Sequence, residues 1–98
     1  MNVITRKRVR SLYLRYPDAK EPLEAWLKLI SSRNFLHLPD LRSIFPTADK
    51  VGPNRDLYCF NIKGNTYRLI VGITFPKTVF VKDFLPHSEY NRKYRGTN

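Results

Sequence analysis

Apolar residues recur at helical spacing in two segments of the first third of the chain. The first stripe falls at positions i, i+3, i+4 and i+7 and consists of Val9, Leu12, Tyr13 and Tyr16. It predicts an amphipathic helix with Thr5 as its N-cap, running to Tyr16 because Pro17 follows. The second stripe repeats the spacing with Leu23, Trp26, Leu27 and Ile30. It predicts a second helix that begins around Asp18 and Glu21, whose negative charges suit a helix N-terminus.

The two predicted helices form a hairpin, and residues 2–4 in front of them have the pattern of a short strand. Residues 35–46 are apolar but contain prolines, which leaves room for one short helical turn after Pro39. The composition of residues 47–55 is typical of an exposed loop.

From residue 57 onward the spacing changes from helical to alternating. One face of the first strand carries Tyr58, Phe60 and Ile62, and the other carries Cys59, Asn61 and Lys63;. The Gly-Asn dipeptide at positions 64–65 is a signal for a two-residue type II′ hairpin turn. The register that follows from this turn places Asn61 opposite Arg68.

A second tight turn is predicted at residues 76–77, and it brings the Leu85 region opposite Arg68, with His87 just beyond. The alternation in the last strand is compatible with a bulge, because of the spacing of Phe80, Lys82 and Phe84. After Pro86, residues 87–94 predict a short terminal helix. The sequence therefore predicts an α+β fold in one domain, residues 1–98, with an N-terminal strand and a helix hairpin packed on a small antiparallel sheet.

The charge of the chain points to an anionic partner. Its 98 residues include 18 Lys and Arg against 8 Asp and Glu, a formal charge of +10 with a pI near 10.1. A nucleic acid, an acidic protein or an anionic membrane surface would relieve the self-repulsion. No apolar run approaches the length of a membrane span, and the N-terminus lacks the apolar segment of a signal peptide, so we expect a cytoplasmic protein that does not associate with membranes.

Three side chains near the C-terminus are candidates for chemistry on a phosphodiester. Arg68 alternates with the core-facing Tyr67 and Leu69, which predicts that it lies on the solvent side of the sheet. A histidine such as His87 can exchange a proton near neutral pH, and Tyr90 can stack on a base or donate a proton. A metal site is not expected, because the two histidines lie 50 residues apart without an acidic cluster and Cys59 is the single cysteine;.

Three stretches carry a resemblance to a known family. The hairpin FNIKGNTYRLI and the tail HSEY, together with the opening NVITRKRVRSLYLRYPDAKEPLEAWLK, resemble the HigB branch of the RelE/ParE-like toxins of bacterial type II toxin–antitoxin systems. The resemblance implies a RelE-like fold and an endoribonuclease that cleaves mRNA, in many members on the ribosome, without metal or cofactor. In that reaction the 2′-hydroxyl of the RNA attacks the adjacent phosphate and leaves a cyclic phosphate and a 5′-hydroxyl.

The resemblance also implies roles for individual residues. Arg68 matches the phosphate-contacting arginine of the family, and His87 falls where the family places a catalytic or phosphate-binding side chain, with Tyr90 as the third catalytic candidate. Relatives near RelE carry lysines where this chain has Cys59 and Asn61, so other residues would supply the missing positive charge. The expected RNA-binding residues are Arg55, Asn61, Lys63, Lys82, Arg92 and Lys93.

The same resemblance implies a partner, a HigA-like helix-turn-helix antitoxin, with operator DNA reached only through that antitoxin. Two other functions remain compatible with the sequence. One is a ParE-like toxin that binds DNA gyrase and cleaves nothing, although such a protein needs neither the histidine nor a basic pocket. The other is a small, basic RNA-binding or ribosome-associated protein without catalytic activity.

Overall fold

The computed structural model describes residues 1–52 and 56–94, and the α+β class is confirmed. The strands are β1 (Asn2–Val3), β2 (Asp49–Lys50), β3 (Leu57–Ile62), β4 (Tyr67–Thr74) and β5 (Thr78–Pro86). The helices are α1 (Arg6–Arg15), α2 (Lys20–Ser31), α3 (Leu38–Arg42) and α4 (His87–Tyr94), with one 3-10 turn at Pro17–Ala19 between α1 and α2. Arg55, one of the expected RNA-binding residues, lies outside the described part of the chain.

The five strands form one sheet in the order β1-β5-β4-β3-β2. The three long strands are antiparallel, as expected. The short strand β2 also pairs antiparallel, with β3, whereas β1 pairs parallel to β5, so the sheet is mixed. The prediction that residues 47–55 are only a loop was wrong for Asp49–Lys50, which pair with Cys59 and Tyr58. A strand of two residues is too short to show alternation in its sequence.

The side chain of Thr5, the predicted N-cap of α1, does not cap the helix but bonds to a neighbouring strand. Thr5 stands at the N-cap position without a capping hydrogen bond from its side chain. Its Oγ1 instead accepts a hydrogen bond from the backbone N–H of Val81 at 2.7 Å. Thr5 thus fastens the start of α1 to the middle of β5.

One face of the sheet packs against α1, α2 and α3 and forms the main core. The predicted stripe residues are central to it, since Val9, Leu23 and Ile30 are fully buried. Three rings, those of Tyr16, Tyr67 and Phe84, contact one another with centroid distances of 5.0 to 5.2 Å. Contacts of this kind add to the burial of apolar area that stabilises the fold.

The predicted register of the hairpins is confirmed. Asn61 pairs with Arg68, and Arg68 pairs with Leu85. Gly64 has a φ of 62°, the left-handed conformation that the turn requires and that glycine adopts at no steric cost;. The register between β4 and β5 shifts between Ile70 and Val71, so Lys82 is an extra residue in β5 and the expected bulge is present.

The other face of the sheet is covered in part by α4 and forms a second, smaller cluster. Its buried members are Val51, Cys59, Ile70, Leu85 and Tyr90. Cys59 therefore packs as a small apolar strand residue, as expected. The prediction that Arg68 lies on the solvent side was wrong, because α4 lies over this face and leaves Arg68 only 8% exposed.

The hairpin is tied to the helices through Asp18, whose carboxylate accepts hydrogen bonds from Lys63 Nζ and the Tyr67 hydroxyl, each at 2.9 Å. The bond from Lys63 and then that from Tyr67 lower the pKa of Asp18 below its ordinary value;. A carboxylate with a lowered pKa in the folded state stabilises the fold above its unfolded pKa, and this contribution is lost as the pH falls through the folded pKa. We expect Asp18→Asn to lower Tm at neutral pH and to lower it less and less as the pH falls through the folded-state pKa of Asp18. Thermal denaturation over a series of pH values measures this, and a loss of Tm that does not change with pH would contradict it.

Candidate active site

Arg68 is held in place by the turn that precedes it. Its Nη2 donates to Asn65 Oδ1 at 2.8 Å, and its Nη1 donates to the backbone oxygens of Asn65 and Tyr67 at 3.2 and 3.4 Å. The guanidinium carbon lies 5.8 Å from the centroid of the Tyr90 ring. A segment of four residues therefore fixes the orientation of the guanidinium.

All the hydrogen-bond acceptors that the structure gives Arg68 are uncharged. Among the described residues, none of the salt bridges includes it. A buried guanidinium without a carboxylate partner is complementary to an anion, and its planar donors suit a phosphate. Asn65 was not expected from the sequence, although its position beside Gly64 in the turn next to Arg68 is the signal that marks it.

A cavity of about 160 Å³, the arginine cleft, opens beside Arg68. Its lining residues are Thr47, Asp49, Cys59, Asn61, Arg68 and Tyr90. The structure thus brings together three residues that the sequence singled out, Asn61, Arg68 and Tyr90. Thr47 and Asp49 were not expected there, because they belong to the segment that was predicted to be a loop. Asp49 is exposed and pairs with Arg42 at 2.8 Å.

Tyr90 faces the arginine cleft from α4 and is 7% exposed. Its ring stacks on that of Tyr94, with centroids 5.6 Å apart. The Tyr94 hydroxyl donates to Asp83 Oδ2 at 3.0 Å. Burial, together with the neighbouring Asp83, raises the pKa of Tyr94 to about 12, so this hydroxyl stays protonated at neutral pH and holds α4 on the sheet;.

His87 is the first residue of α4 and is half-buried, but it does not line the arginine cleft. Its backbone N–H donates to the Thr66 oxygen at 3.0 Å, so the helix is anchored to the same turn that holds Arg68. Its Nε2 lies 3.4 Å from Asn91 Nδ2, and its buried Nδ1 has no hydrogen-bond partner among the described residues. The other histidine, His37, caps α3 by accepting the Asp40 N–H at 3.2 Å.

The expected RNA-binding lysines do not share one surface. Lys63 turns toward the helices and pairs with Asp18. Lys82 lies exposed at the bulge, where its backbone oxygen accepts from Arg8 Nη2 at 2.9 Å. Neither side chain lines the arginine cleft.

Arg92 and Lys93, in the last turn of α4, do not line the arginine cleft. They line a groove of about 350 Å³ together with Arg15 and Glu89. Lys93 Nζ is 2.8 Å from Asp83 Oδ2. Burial acts to raise the pKa of Asp83, but the hydrogen bonds from Lys93 and Tyr94 outweigh it and the pKa is lowered.

The sequence matches a family over the region that contains this cleft. A sequence model of the HigB toxin family, the RelE-like toxic component of a toxin-antitoxin system, matches residues 19–93, which is more than half of the chain. The chain belongs to the HigB toxin family. The matched HigB region includes Arg68, His87 and Tyr90 and begins after α1.

Three curated relatives agree with this membership. The chain is 27% identical over 92 residues to a protein named mRNA interferase toxin HigB from Escherichia coli strain K12. The same identity is found with proteins named mRNA interferase HigB from Escherichia coli O157:H7 and from Shigella flexneri. Each match covers 93% of this chain and 88% of the relative.

Two further findings describe the surroundings of the HigB-type cleft. Within residues 1–52 and 56–94, no three side chains of His, Cys, Asp and Glu are grouped so that they could hold a metal ion. Over the same ranges, each helix is too short or too polar to cross a membrane. The arginine cleft itself offers a positioned cation and a phenol, and the imidazole of His87 lies at the start of the helix that carries the phenol. Groups of these kinds suit phosphoryl chemistry.

Proposed function

We propose that this HigB-family toxin is an mRNA interferase, an endoribonuclease that cleaves mRNA on the ribosome in the cytoplasm. The curated relatives carry that activity in their names. The structural observation that supports it is Arg68, a buried guanidinium with only uncharged acceptors, fixed at the floor of an open cleft.

The proposed reaction uses the RNA's own 2′-hydroxyl. Its oxygen forms a bond to the adjacent phosphorus while its proton moves to a base, and the bond from phosphorus to the 5′-oxygen breaks as that oxygen gains a proton. The products are a 2′,3′-cyclic phosphate and a 5′-hydroxyl, and the balance of atoms requires no metal and no cofactor. Arg68 stabilises the negative charge that develops on the phosphoryl oxygens, and His87 and Tyr90 serve the two proton transfers.

Residues around the cleft would contact the RNA on either side of the cleaved bond. Asn61 lines the cleft itself, and Arg92 and Lys93 line the separate groove that also includes Arg15 and Glu89. Lys63, in the turn after β3, and Lys82, at the bulge of β5, add positive side chains to the surface of the hairpins. Each phosphate that such residues neutralise adds to an affinity that falls with salt.

The family consists of toxic components of toxin-antitoxin systems, and we propose that the antitoxin here is a HigA-like helix-turn-helix protein. A chain with a net charge of +10 is silenced efficiently by a partner that presents carboxylates, since complementary charge also speeds association. Operator DNA would be reached only through this antitoxin.

Expression of the chain alone in bacteria should stop growth, and co-expression with the antitoxin encoded beside it should restore growth. The reason is that cleavage of mRNA halts translation, while a bound antitoxin covers the toxin. Colony counts and the sequencing of RNA fragments with 5′-hydroxyl ends measure the two effects. Normal growth with intact mRNA, at a level of the protein confirmed by blotting, would contradict the proposed function. Arrest without RNA fragments would instead favour a toxin that acts on gyrase.

A further inference from the structure

A second cavity, here called the edge pocket, lies between α2 and the end of β3. Its volume is about 240 Å³. Its walls are mainly apolar and include Ala25, Trp26, Leu29, Phe45 and Ile62. Leu29 is 44% exposed, so part of this apolar wall is open to solvent.

The backbone of Asn61 opens onto the uncovered edge of β3. The Leu57 oxygen accepts from Val51 N–H on the β2 side, and the Asp56 oxygen accepts from Ile73 N–H on the β4 side. Backbone groups of successive strand residues point to alternate sides, so those of Asn61 point to the β2 side, as those of Leu57 do. In the described residues β2 pairs only with Tyr58 and Cys59.

Asn61 therefore presents a backbone donor and a backbone acceptor where no strand covers it. Its side-chain amide also has no hydrogen-bond partner within the described parts of the chain. A donor and an acceptor side by side are what the edge of a nucleobase needs.

The edge pocket adjoins the arginine cleft, because Asn61 lines both. A single RNA strand that places a phosphate on Arg68 thus has a neighbouring base within reach of the edge pocket. The aromatic and aliphatic walls suit the faces of an unstacked base, as in other proteins that bind single-stranded RNA.

Trp26 adds a second observation. Its ring packs edge-to-face on Phe60, with centroids 5.6 Å apart, and it is 3% exposed. Its indole N–H is buried without a hydrogen-bond partner among the described residues. A buried donor without a partner is unfavourable, and a base brings carbonyl and ring-nitrogen acceptors into the pocket.

We propose that the edge pocket binds the base of a nucleotide next to the cleaved bond and sets the base preference of the toxin. The proposal rests on the proposed function, because it takes single-stranded RNA as the ligand. The base contacts the apolar walls with its face, and its edge pairs with the exposed backbone groups of Asn61.

The test uses the fluorescence of Trp26, the single tryptophan of the chain. The probes are four short single-stranded RNAs that carry 2′-deoxyribose at the cleaved nucleotide, which blocks the attack, and that differ in the adjacent base. Wild-type protein should lose fluorescence on binding, with at least one base bound more tightly than the others.

Ala25→Phe fills the pocket from an exposed helix position and should weaken binding of the preferred probe by roughly 10-fold and remove the preference. Leu14→Phe, the matched control at a position that is 88% exposed on α1, should bind as wild type does.

Probes that bind equally well to wild type and Ala25→Phe, with the same base order, overturn the edge pocket and leave the proposed function intact. If the antitoxin no longer rescues cells that express Ala25→Phe, and the base preference is unchanged, the edge-pocket proposal is also overturned. The pocket then belongs to the surface that binds the antitoxin. The absence of any RNA binding, together with intact mRNA in cells that express the toxin, overturns the pocket and the proposed function together.

Discussion

Replacing Arg68 with alanine should lower the rate of RNA cleavage by about 10²- to 10³-fold, the usual effect of removing one donor that stabilises charge in a transition state. The guanidinium has no carboxylate partner among the described residues, so its charge is available to the phosphate. Arg68→Lys should recover only part of the rate, because a lysine keeps the charge but loses the planar pair of donors. The measurement is the rate of cleavage of a reporter mRNA in a translation extract.

The control for Arg68→Ala must distinguish the loss of a charge from a loss of folding, because Arg68 is buried rather than exposed. Arg10→Ala removes the same charge from an exposed position on α1 and should keep nearly the full rate. Thermal denaturation of each variant shows whether it is folded at the assay temperature. Full activity in a folded Arg68→Ala protein would show that the chemistry lies elsewhere.

Replacing His87 with glutamine should lower the cleavage rate by about 10²- to 10⁴-fold, if the imidazole transfers a proton in the reaction. The pH profile of the wild-type rate should then differ from that of the variant, because glutamine cannot transfer a proton. The imidazole does not line the arginine cleft, so a bound RNA must reach it at the rim, beside the turn that also holds Arg68.

The chain offers a matched control in its second histidine. His37→Gln removes an imidazole that caps the short α3, and it should leave both the rate and its pH dependence unchanged. A pH profile that stays the same in His87→Gln as in wild type would assign the proton transfers to other groups, such as Tyr90, whose ring centroid is 5.8 Å from the Arg68 guanidinium carbon.

The elements that could be predicted are those that local spacing determines. The stripe through Val9 and Tyr16 has the period of a helix, and the Gly64 turn sets the register that pairs Asn61 with Arg68. The strand β1 could be predicted from the pattern of residues 2–4, although its parallel pairing with β5 could not. The strand β2 could not be predicted, since a two-residue strand forms only because a longer neighbour is already in place.

The candidate site was less predictable than the fold for a similar reason. Alternation determines which face of the sheet Arg68 occupies, but it says nothing of what covers that face. The local sequence also does not indicate which residue a charged side chain will pair with elsewhere in the molecule. Lys63, for example, pairs with Asp18, which is 45 residues away in the sequence. Thr47 and Asp49 line the cleft because the backbone after α3 turns toward it. The sequence pattern of this segment does not predict that course.

The bulge at Lys82 ties the existence of the cleft to the length of one strand. Side chains alternate along a strand, so one extra residue exchanges the two faces for everything that follows it. Before the bulge Val81 faces the main core, and after it Phe84 does so, which leaves Leu85 on the side of Arg68. With a strand one residue shorter, α4 would begin on the helix-covered side of the sheet. Deletion of the single codon for Lys82 would therefore inactivate the toxin, although every candidate catalytic residue would still be encoded.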